Sequence, residues 1–138
     1  MNFNLDEYFQ QTKGRGVLAT ADEKGQVDAA VYARPKIIDD GTVAFIMRDR
    51  LTHANLQSNP HATYLFMEEG SGGYRGKRLF LTKVSEEQDT ERLYALRRAD
   101  HNAIKETREQ RGPLFLTLFK IDKVLPVTMA REHTGQDA

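Results

Sequence analysis

The chain has no cysteine among its 138 residues. Disulfides, thiolate nucleophiles, iron–sulfur clusters and cysteine-ligated zinc sites are therefore excluded. An excess of charge of one sign is also missing, because 20 Lys and Arg residues balance 20 Asp and Glu residues. No overall field attracts a nucleic acid or an acidic membrane surface, so we expect neither as a partner, and any phosphate binding must be local.

Long apolar runs are absent as well. No window approaches the ~20 apolar residues of a membrane span, and residues 1–14 contain no apolar run of the kind that a signal peptide needs. We therefore expect a soluble cytoplasmic protein. The length is in the usual range for one domain, and no repeat or linker divides the chain. The expected organisation is a single domain over residues 1–138.

A short helix is predicted over residues 4–13. Asn4 is a good N-cap, and Glu7 can complete a capping box three residues later. Phe3 and Tyr8 have the spacing of a hydrophobic staple across the start of this helix.

After this helix the hydrophobic period changes to two residues, which is typical of strands. Seven segments are predicted to be strands, because they show this alternation or form a short apolar run: residues 15–21, 26–34, 36–38, 42–47, 61–68, 77–84 and 113–121. In the second segment, alternate residues from Val27 to Ala33 form an apolar face opposite a mixed face. Short strands joined mostly by turns favour an antiparallel sheet that closes on itself. We predict a mainly β fold, a small barrel with a few helices.

Helical patterns return in two connections. A short helix is expected after Met47 and ends at Asn59-Pro60, and a second helix is predicted over residues 85–98. Residues 99–111 are strongly charged and are either helix or loop. Residues from about 129 to 138 are predicted to form a disordered tail.

Few patterns in the chain point to chemistry performed by side chains. The four histidines lack the i, i+4 spacing of a helical zinc site, and no serine has the glycine frame of a nucleophile elbow. The glycine-rich run GSGGYRG leads into a strand, so it is interpreted as a hairpin loop and not as a phosphate cradle. We predict no metal site and assign no catalytic side chain. If the protein is an enzyme, a cofactor carries the reaction.

The run MRDRLTHANLQSNP is the strongest candidate for a binding site, because an apolar strand leads directly into a short helix there. A helix N-terminus offers unpaired backbone N–H groups, and guanidinium and hydroxyl groups beside it complete a site for a terminal phosphate. Arg48, Arg50 and Thr52 are such groups. The alternative interpretation is an ordinary turn, in which Asp49 or Thr52 caps the helix and the arginines are solvated.

Supporting residues lie on the neighbouring predicted strands. Arg34 and Lys36 flank Pro35 and could reach the same rim, and Lys77 opens the strand after the glycine-rich loop. The alternative interpretation is that all three are ordinary charged residues at strand edges, where charge prevents pairing with the strand of another chain. Tyr32 could line a flat ligand or pack in the core.

The segment GVLATADEKGQVDAAVYARPKIIDDGTVAFIMRDRLTHANLQSNPHATYLF, followed by GKRLFLTKV, resembles the FMN-binding split-barrel proteins of the pyridoxamine 5′-phosphate oxidase-like superfamily. The resemblance covers roughly residues 15–121 by strand order and spacing. Its most specific parts are LATADEKG, the Arg-Pro after the second strand, and NLQSNPHA.

The resemblance implies a six- or seven-stranded antiparallel split β-barrel that forms a homodimer, with FMN in clefts between the subunits. It implies FMN-dependent transfer of electrons or hydride to an unknown small acceptor. The implied phosphate ligands are Arg48, Arg50 and Thr52, and a lysine is frequent in the family where Thr52 stands. The flavin ring would lie near four further residues, with a contribution from Lys77 of the second subunit. The four are Arg34, Lys36, Ile46 and Met47.

The end of the chain departs from the oxidase itself, which has a C-terminal arginine motif for the vitamin phosphate. Arg131 is the only Lys or Arg residue after Lys123, and the residues around it do not match that motif. We therefore do not expect pyridoxamine phosphate as the substrate. Two alternatives remain open. One is a different cofactor, either a deazaflavin coenzyme or haem, for which His53 or His133 could serve. The other is a ligand-binding module without catalytic activity.

Overall fold

The computed structural model describes residues 4–70, 72–99 and 107–128, and these form one antiparallel sheet with short helices. In chain order the elements are α1 (Leu5–Gln11), β1 (Gly14–Ala21), β2 (Val27–Val31), β3 (Lys36–Asp39), β4 (Thr42–Arg48), α2 (Leu51–Ser58), β5 (His61–Glu68), β6 (Gly76–Gln88), α3 (Glu91–Arg98), α4 (Arg108–Arg111) and β7 (Leu114–Pro126). None of the helices described is long and apolar enough to cross a membrane.

The seven strands are ordered β2-β1-β5-β6-β7-β4-β3, and each neighbouring pair is antiparallel. The predicted mainly β split-barrel class is confirmed. The sheet is not closed, however, because β2 and β3 are its two edges. Two register shifts interrupt the pairing of β6 with β7, one between Phe80 and Leu81 and one between Lys83 and Ser85. Such bulges bend and twist a long pair of strands.

Two apolar clusters lie on opposite faces of the central strands. The larger cluster is rich in aromatic rings and includes Phe45, Tyr64 and Phe119. The smaller one lies under α3, where the fully buried Leu93 packs with alternate residues of β7. Strand β7 is therefore covered on both sides, which explains the nearly continuous apolar sequence LFLTLF.

The first predicted helix is confirmed with slightly tighter bounds. The Asn4 Oδ1 atom accepts a hydrogen bond from the Glu7 backbone N–H at 3.0 Å, which is the predicted N-cap. Phe9 anchors α1 in the larger core cluster. The predicted staple involves Phe3, which lies outside the described residues.

The predicted helix over residues 85–98 is wrong in its first part. Residues 85–88 extend β6 and pair with Leu118 to Phe115 of β7. The helix starts only at Glu91, after Thr90, whose hydroxyl accepts a hydrogen bond from the Leu93 N–H. Pairing with a long neighbouring strand outweighs local helix preference here. Strand β7 likewise continues beyond its predicted end, to Pro126.

Strand β2 is shorter than predicted, and its apolar face points away from the core of this chain. Val27 and Val31 are each 82% exposed. The opposite, mixed face is turned inward, with Asp28, Ala30 and Tyr32 partly buried. Of the charged stretch 99–111, residues Arg108–Arg111 form α4. Residues 100–106 and the predicted tail from 129 onward lie outside the described residues.

Candidate functional site

The turn from β4 to α2 places two arginines at a helix start. The Arg50 N–H donates to the Arg48 carbonyl oxygen at 2.9 Å, which makes a three-residue turn around Asp49. Arg50 is the N-cap residue of α2, and its side chain makes no capping hydrogen bond. The Asp49 carboxylate contacts the ring of His53 instead. The simple alternative, in which Asp49 or Thr52 occupies the N-cap position, is therefore wrong.

A cleft of about 520 Å³ lies beside this turn, between β2, β4 and the start of α2. Five of the predicted site residues line it or stand on its rim: Ile46, Met47, Arg48, Arg50 and Thr52. Asp28 and Tyr32 of the β2 region complete the opposite wall. A ligand cleft of this size is ordinary for a cofactor.

The predicted residues contribute to the cleft in different ways. Arg50 is exposed and Arg48 is partly buried, so charged groups stand at the rim. Ile46 is partly buried on the same face of β4 as Arg48. Met47 is only 2% exposed and packs in the larger core cluster, so it supports the floor.

Thr52 and Tyr32 form a polar wall of the cleft. Thr52 is 5% exposed, and its hydroxyl hydrogen-bonds the Tyr32 phenol. Burial raises the pKa of Tyr32, although the bond to Thr52 and the charge of Arg50 act in the opposite direction. The phenol is therefore protonated at neutral pH and available as a hydrogen-bond donor or acceptor.

A second pocket of about 200 Å³ adjoins the first, and both are lined by Tyr32, Ile46 and Arg48. Four basic residues line it: Arg34, Lys36, Arg48 and Arg97. Among the residues that the structure describes, no Asp or Glu does so. In a chain without net charge, this is a local concentration of positive charge.

Arg97 is the residue of this pocket that the sequence analysis missed. It lies in the last turn of α3, one turn after the buried Leu93. The i, i+4 spacing from Leu93 places Arg97 on the inward side of the helix, which is the only signal that could have found it. That signal does not show which strand the helix would cover.

Arg34 lines the second pocket but also holds α1 in place. Its Nη1 atom donates to the Phe9 carbonyl oxygen at 2.5 Å and to the Thr12 carbonyl oxygen at 2.8 Å. Lys77 is elsewhere in this chain. Its ammonium lies 5.8 Å from the centre of the Tyr8 ring, and it lines neither pocket. Of the predicted set, therefore, only Lys77 is remote from the others.

An open depression of about 570 Å³ lies on another part of the sheet, lined mainly by small and apolar residues. Its one lysine, Lys123, lies 4.7 Å from the centre of the Phe80 ring and stands next to Asp122. This depression therefore lacks a concentration of positive charge. In the described ranges, no group of three or more potential metal ligands occurs either.

No protein-family model and no curated protein matches this chain. Solved structures do. An FMN-binding protein from Syntrophomonas wolfei subsp. wolfei is similar with a TM-score of 0.71 at 22% identity, over 89% of this chain and 83% of that one. An F420 reductase is similar with a TM-score of 0.64 at 18% identity, over 86% of this chain and 94% of that one.

A candidate pyridoxamine 5′-phosphate oxidase from Lactobacillus delbrueckii matches with a TM-score of 0.62 at 12% identity, over 86% of this chain and 88% of that one. Haem-storage and FAD-binding proteins are also among the matching structures. Likeness at this level of identity shows the fold. The recognition from sequence is confirmed in that sense: the chain has the split-barrel fold of the pyridoxamine 5′-phosphate oxidase-like proteins.

Proposed function

We propose that this protein is a cytoplasmic, homodimeric, FMN-binding oxidoreductase. The observation that carries the proposal is the cleft at the β4–α2 turn, where two guanidinium groups meet a helix start without a side-chain cap. A dianionic phosphate ester is the ligand that such a group of donors favours.

The residues of the cleft fit FMN in kind. Arg48 and Arg50 would bind the phosphate, together with Thr52 and the first N–H groups of α2. Ile46 and the Tyr32 ring supply an apolar and aromatic wall for a flat ring system. Such a wall with a few convergent polar groups is typical of cofactor sites.

Bound FMN would supply hydride or single-electron transfer, which the side chains of the cleft cannot perform themselves. The contribution of the chain is to bind the phosphate, to orient the ring and to donate hydrogen bonds. Arg34 and Lys36 of the second pocket lie where they could stabilise negative charge on the ring or on a substrate. The acceptor is a small molecule whose identity the cleft does not specify.

The homodimer is supported by the outward face of β2. Val27 and Val31 are 82% exposed on an edge strand, and exposed apolar faces of this kind typically mark interfaces. The resemblance to the split-barrel family implies, in addition, that Lys77 of the partner subunit contributes to the cleft. Light scattering on the V27D variant tests the interface. A dimeric wild type and a monomeric V27D are expected, whereas a monomeric wild type would contradict the proposal.

The cofactor proposal is tested first by the absorption spectrum of the purified protein and by chromatography of the chromophore released on denaturation. FMN is then titrated into the cofactor-free protein. R50A should weaken FMN binding by about 1.5–3 kcal/mol, which is the usual value of a hydrogen bond to a charged group. R98A is the matched control, because Arg98 is exposed on α3 and lines neither pocket. A wild type that neither contains nor binds FMN would refute the proposal.

A deazaflavin coenzyme is the second candidate, and the basic second pocket favours it. Such a coenzyme carries a phosphodiester and an acidic tail, hence more negative charge than FMN, and four basic residues line this pocket. R97A should then weaken binding of the deazaflavin coenzyme strongly and binding of FMN little. Equal effects on both ligands would remove the reason for preferring the deazaflavin coenzyme.

The haem alternative has little support from His53. Both ring nitrogens of His53 already have polar partners, and the ring stacks on Phe115 with centroids 3.8 Å apart. Of the two histidines considered for haem, His133 remains, and it lies outside the described residues. A Soret band in the spectrum of the purified protein would reveal it.

A further inference from the structure

His53 lies behind the arginine turn and is almost fully buried, with 7% of the residue exposed. It belongs to the first turn of α2. Its Nδ1 atom is 3.1 Å from Asp49 Oδ1, and its Nε2 atom is 3.3 Å from Glu86 Oε2 on β6. The ring thus bridges the turn and the sheet.

Asp49 is the central residue of the turn, so the contact from His53 acts on the segment that carries both arginines. The turn is closed by the Arg50 N–H bond to the Arg48 carbonyl oxygen. A helix start is commonly held by an N-cap side chain, but Arg50 does not provide one. The His53 contact instead holds Asp49, the residue that precedes the N-cap position, and leaves the first N–H groups of α2 without a side-chain cap.

The opposite end of the bridge is firmly anchored. Glu86 accepts a hydrogen bond from the Gln57 amide at 3.0 Å and from the Lys83 ammonium at 2.9 Å. Burial alone would raise the pKa of Glu86, but the hydrogen bonds from Gln57, Lys83 and His53 hold this pKa below its ordinary value. Glu86 is therefore an ionised, fixed acceptor on β6. The Phe115 ring fixes the plane of the imidazole from β7.

We propose that His53 is a positioning residue: through its contact with Asp49, it sets the placement of the Arg48 and Arg50 guanidinium groups that receive the anionic ester. This inference rests on the proposed function for the identity of the ligand. It adds that the affinity for the ester depends on a residue that does not line the cleft.

Three variants separate the two contacts of the ring. H53N keeps a donor near the Nδ1 position and hence the contact to Asp49, H53Q keeps one near the Nε2 position, and H53F keeps only the stacking. The Asp49 side chain is 63% exposed, so its contact is of moderate strength. The dissociation constant for FMN should rise about fivefold in H53F and H53Q and stay within about twofold of wild type in H53N. Equal affinities in all three would overturn the inference.

A double-mutant cycle with D49A tests whether His53 acts through Asp49. The effect of H53F is measured with and without the Asp49 carboxylate, so the direct repulsion between that carboxylate and the bound anion cancels in the comparison. If His53 acts through Asp49, adding H53F to D49A leaves the dissociation constant unchanged. An H53F effect that persists in the D49A background would contradict the route. Should H53F fail to fold, the comparison of H53Q with H53N carries the test.

Amide hydrogen exchange of the Arg50 N–H in the ligand-free protein gives a readout that needs no FMN. Exchange should accelerate in H53F and H53Q but not in H53N. If the wild type binds no FMN while exchange follows this order, the proposed function fails and the positioning of the turn stands. If FMN binds and exchange is the same in every variant, the inference fails and the proposed function stands.

Discussion

Replacing Arg34 by alanine should destabilise the protein, although sequence analysis assigns this residue to cofactor binding. Its Nη1 atom donates to the carbonyl oxygens of Phe9 and Thr12, at the C-terminal end of α1. The last turn of α1 contains no basic residue of its own. Arg34 therefore supplies from outside the positive charge that a helix C-terminus favours. Without it, α1 loses the contact that holds its end against the sheet.

The magnitude follows from these two contacts. A hydrogen bond from a charged group contributes about 1.5–3 kcal/mol when it is buried. Here one nitrogen serves both acceptors and the Thr12 contact is exposed, so a total loss of about 1–2 kcal/mol is the better value. For a chain of this length, that loss corresponds to a fall in Tm of roughly 3–8 °C. Phe9, which anchors α1 in the core, would become partly exposed.

Thermal unfolding followed by circular dichroism measures the change, and amide exchange in α1 locates it. The exchange of the Tyr8 N–H, which bonds to the Asn4 carbonyl oxygen at 3.0 Å, should accelerate. R50A is the matched control, since Arg50 is also an exposed arginine beside a pocket but its side chain makes no capping hydrogen bond to a helix, and its Tm should change by less than about 2 °C. An R34A protein with unchanged Tm and unchanged exchange in α1 would refute this reasoning.

Three further predictions concern stability. G16A should lower the free energy of unfolding in urea by about 1–3 kcal/mol, because an added Cβ would overlap the fully buried Tyr64 side chain. G41A is the control and should be nearly neutral, because the space at that position is open. Equal effects of the two variants would contradict the packing argument. Because the pKa of Glu86 is lowered on folding, its ionised form stabilises the protein above the ordinary value of 4.5, and this contribution is lost as the pH falls through the lowered pKa. E86Q should therefore show a smaller loss of stability than wild type between pH 6 and about pH 3; parallel pH profiles would show that Glu86 does not contribute. T90A removes the N-cap of α3 and should cost about 1 kcal/mol, measured by urea unfolding, with T90S as the variant that restores the cap.

The candidate cleft was predictable from sequence to the extent that its residues are neighbours in the chain. Arg48, Arg50 and Thr52 lie within five residues, and the change from an apolar strand to a helix marks them directly. Arg97 enters the same region only because α3 packs over the pairing of β4 with β7. No local pattern carries that information, since it depends on contacts between segments about fifty residues apart.

The same distinction explains why the structural role of Arg34 could not be predicted from the sequence. Its position after the second strand suggests a group at the rim of the predicted site, and in the structure it lines the second pocket. Its bonds to α1 could not be foreseen, because they join residues 22 and 25 positions apart. The orientation of β2 was equally hidden. A two-residue alternation shows that a strand has two unlike faces, but not which face meets the core.

The amino-acid sequence by itself determined the mainly β class, the approximate positions of the seven strands and the strand-to-helix turn that carries Arg48 and Arg50. Each of these depends on residues close together in the chain, through side-chain periodicity, turn chemistry and helix termini. The tertiary structure alone decided that the sheet stays open, that residues 85–88 remain strand, that Arg97 joins the basic pocket and that His53 connects the turn to β6. These features depend on pairing and packing between distant segments, whose free energy outweighs the small preferences of any local stretch.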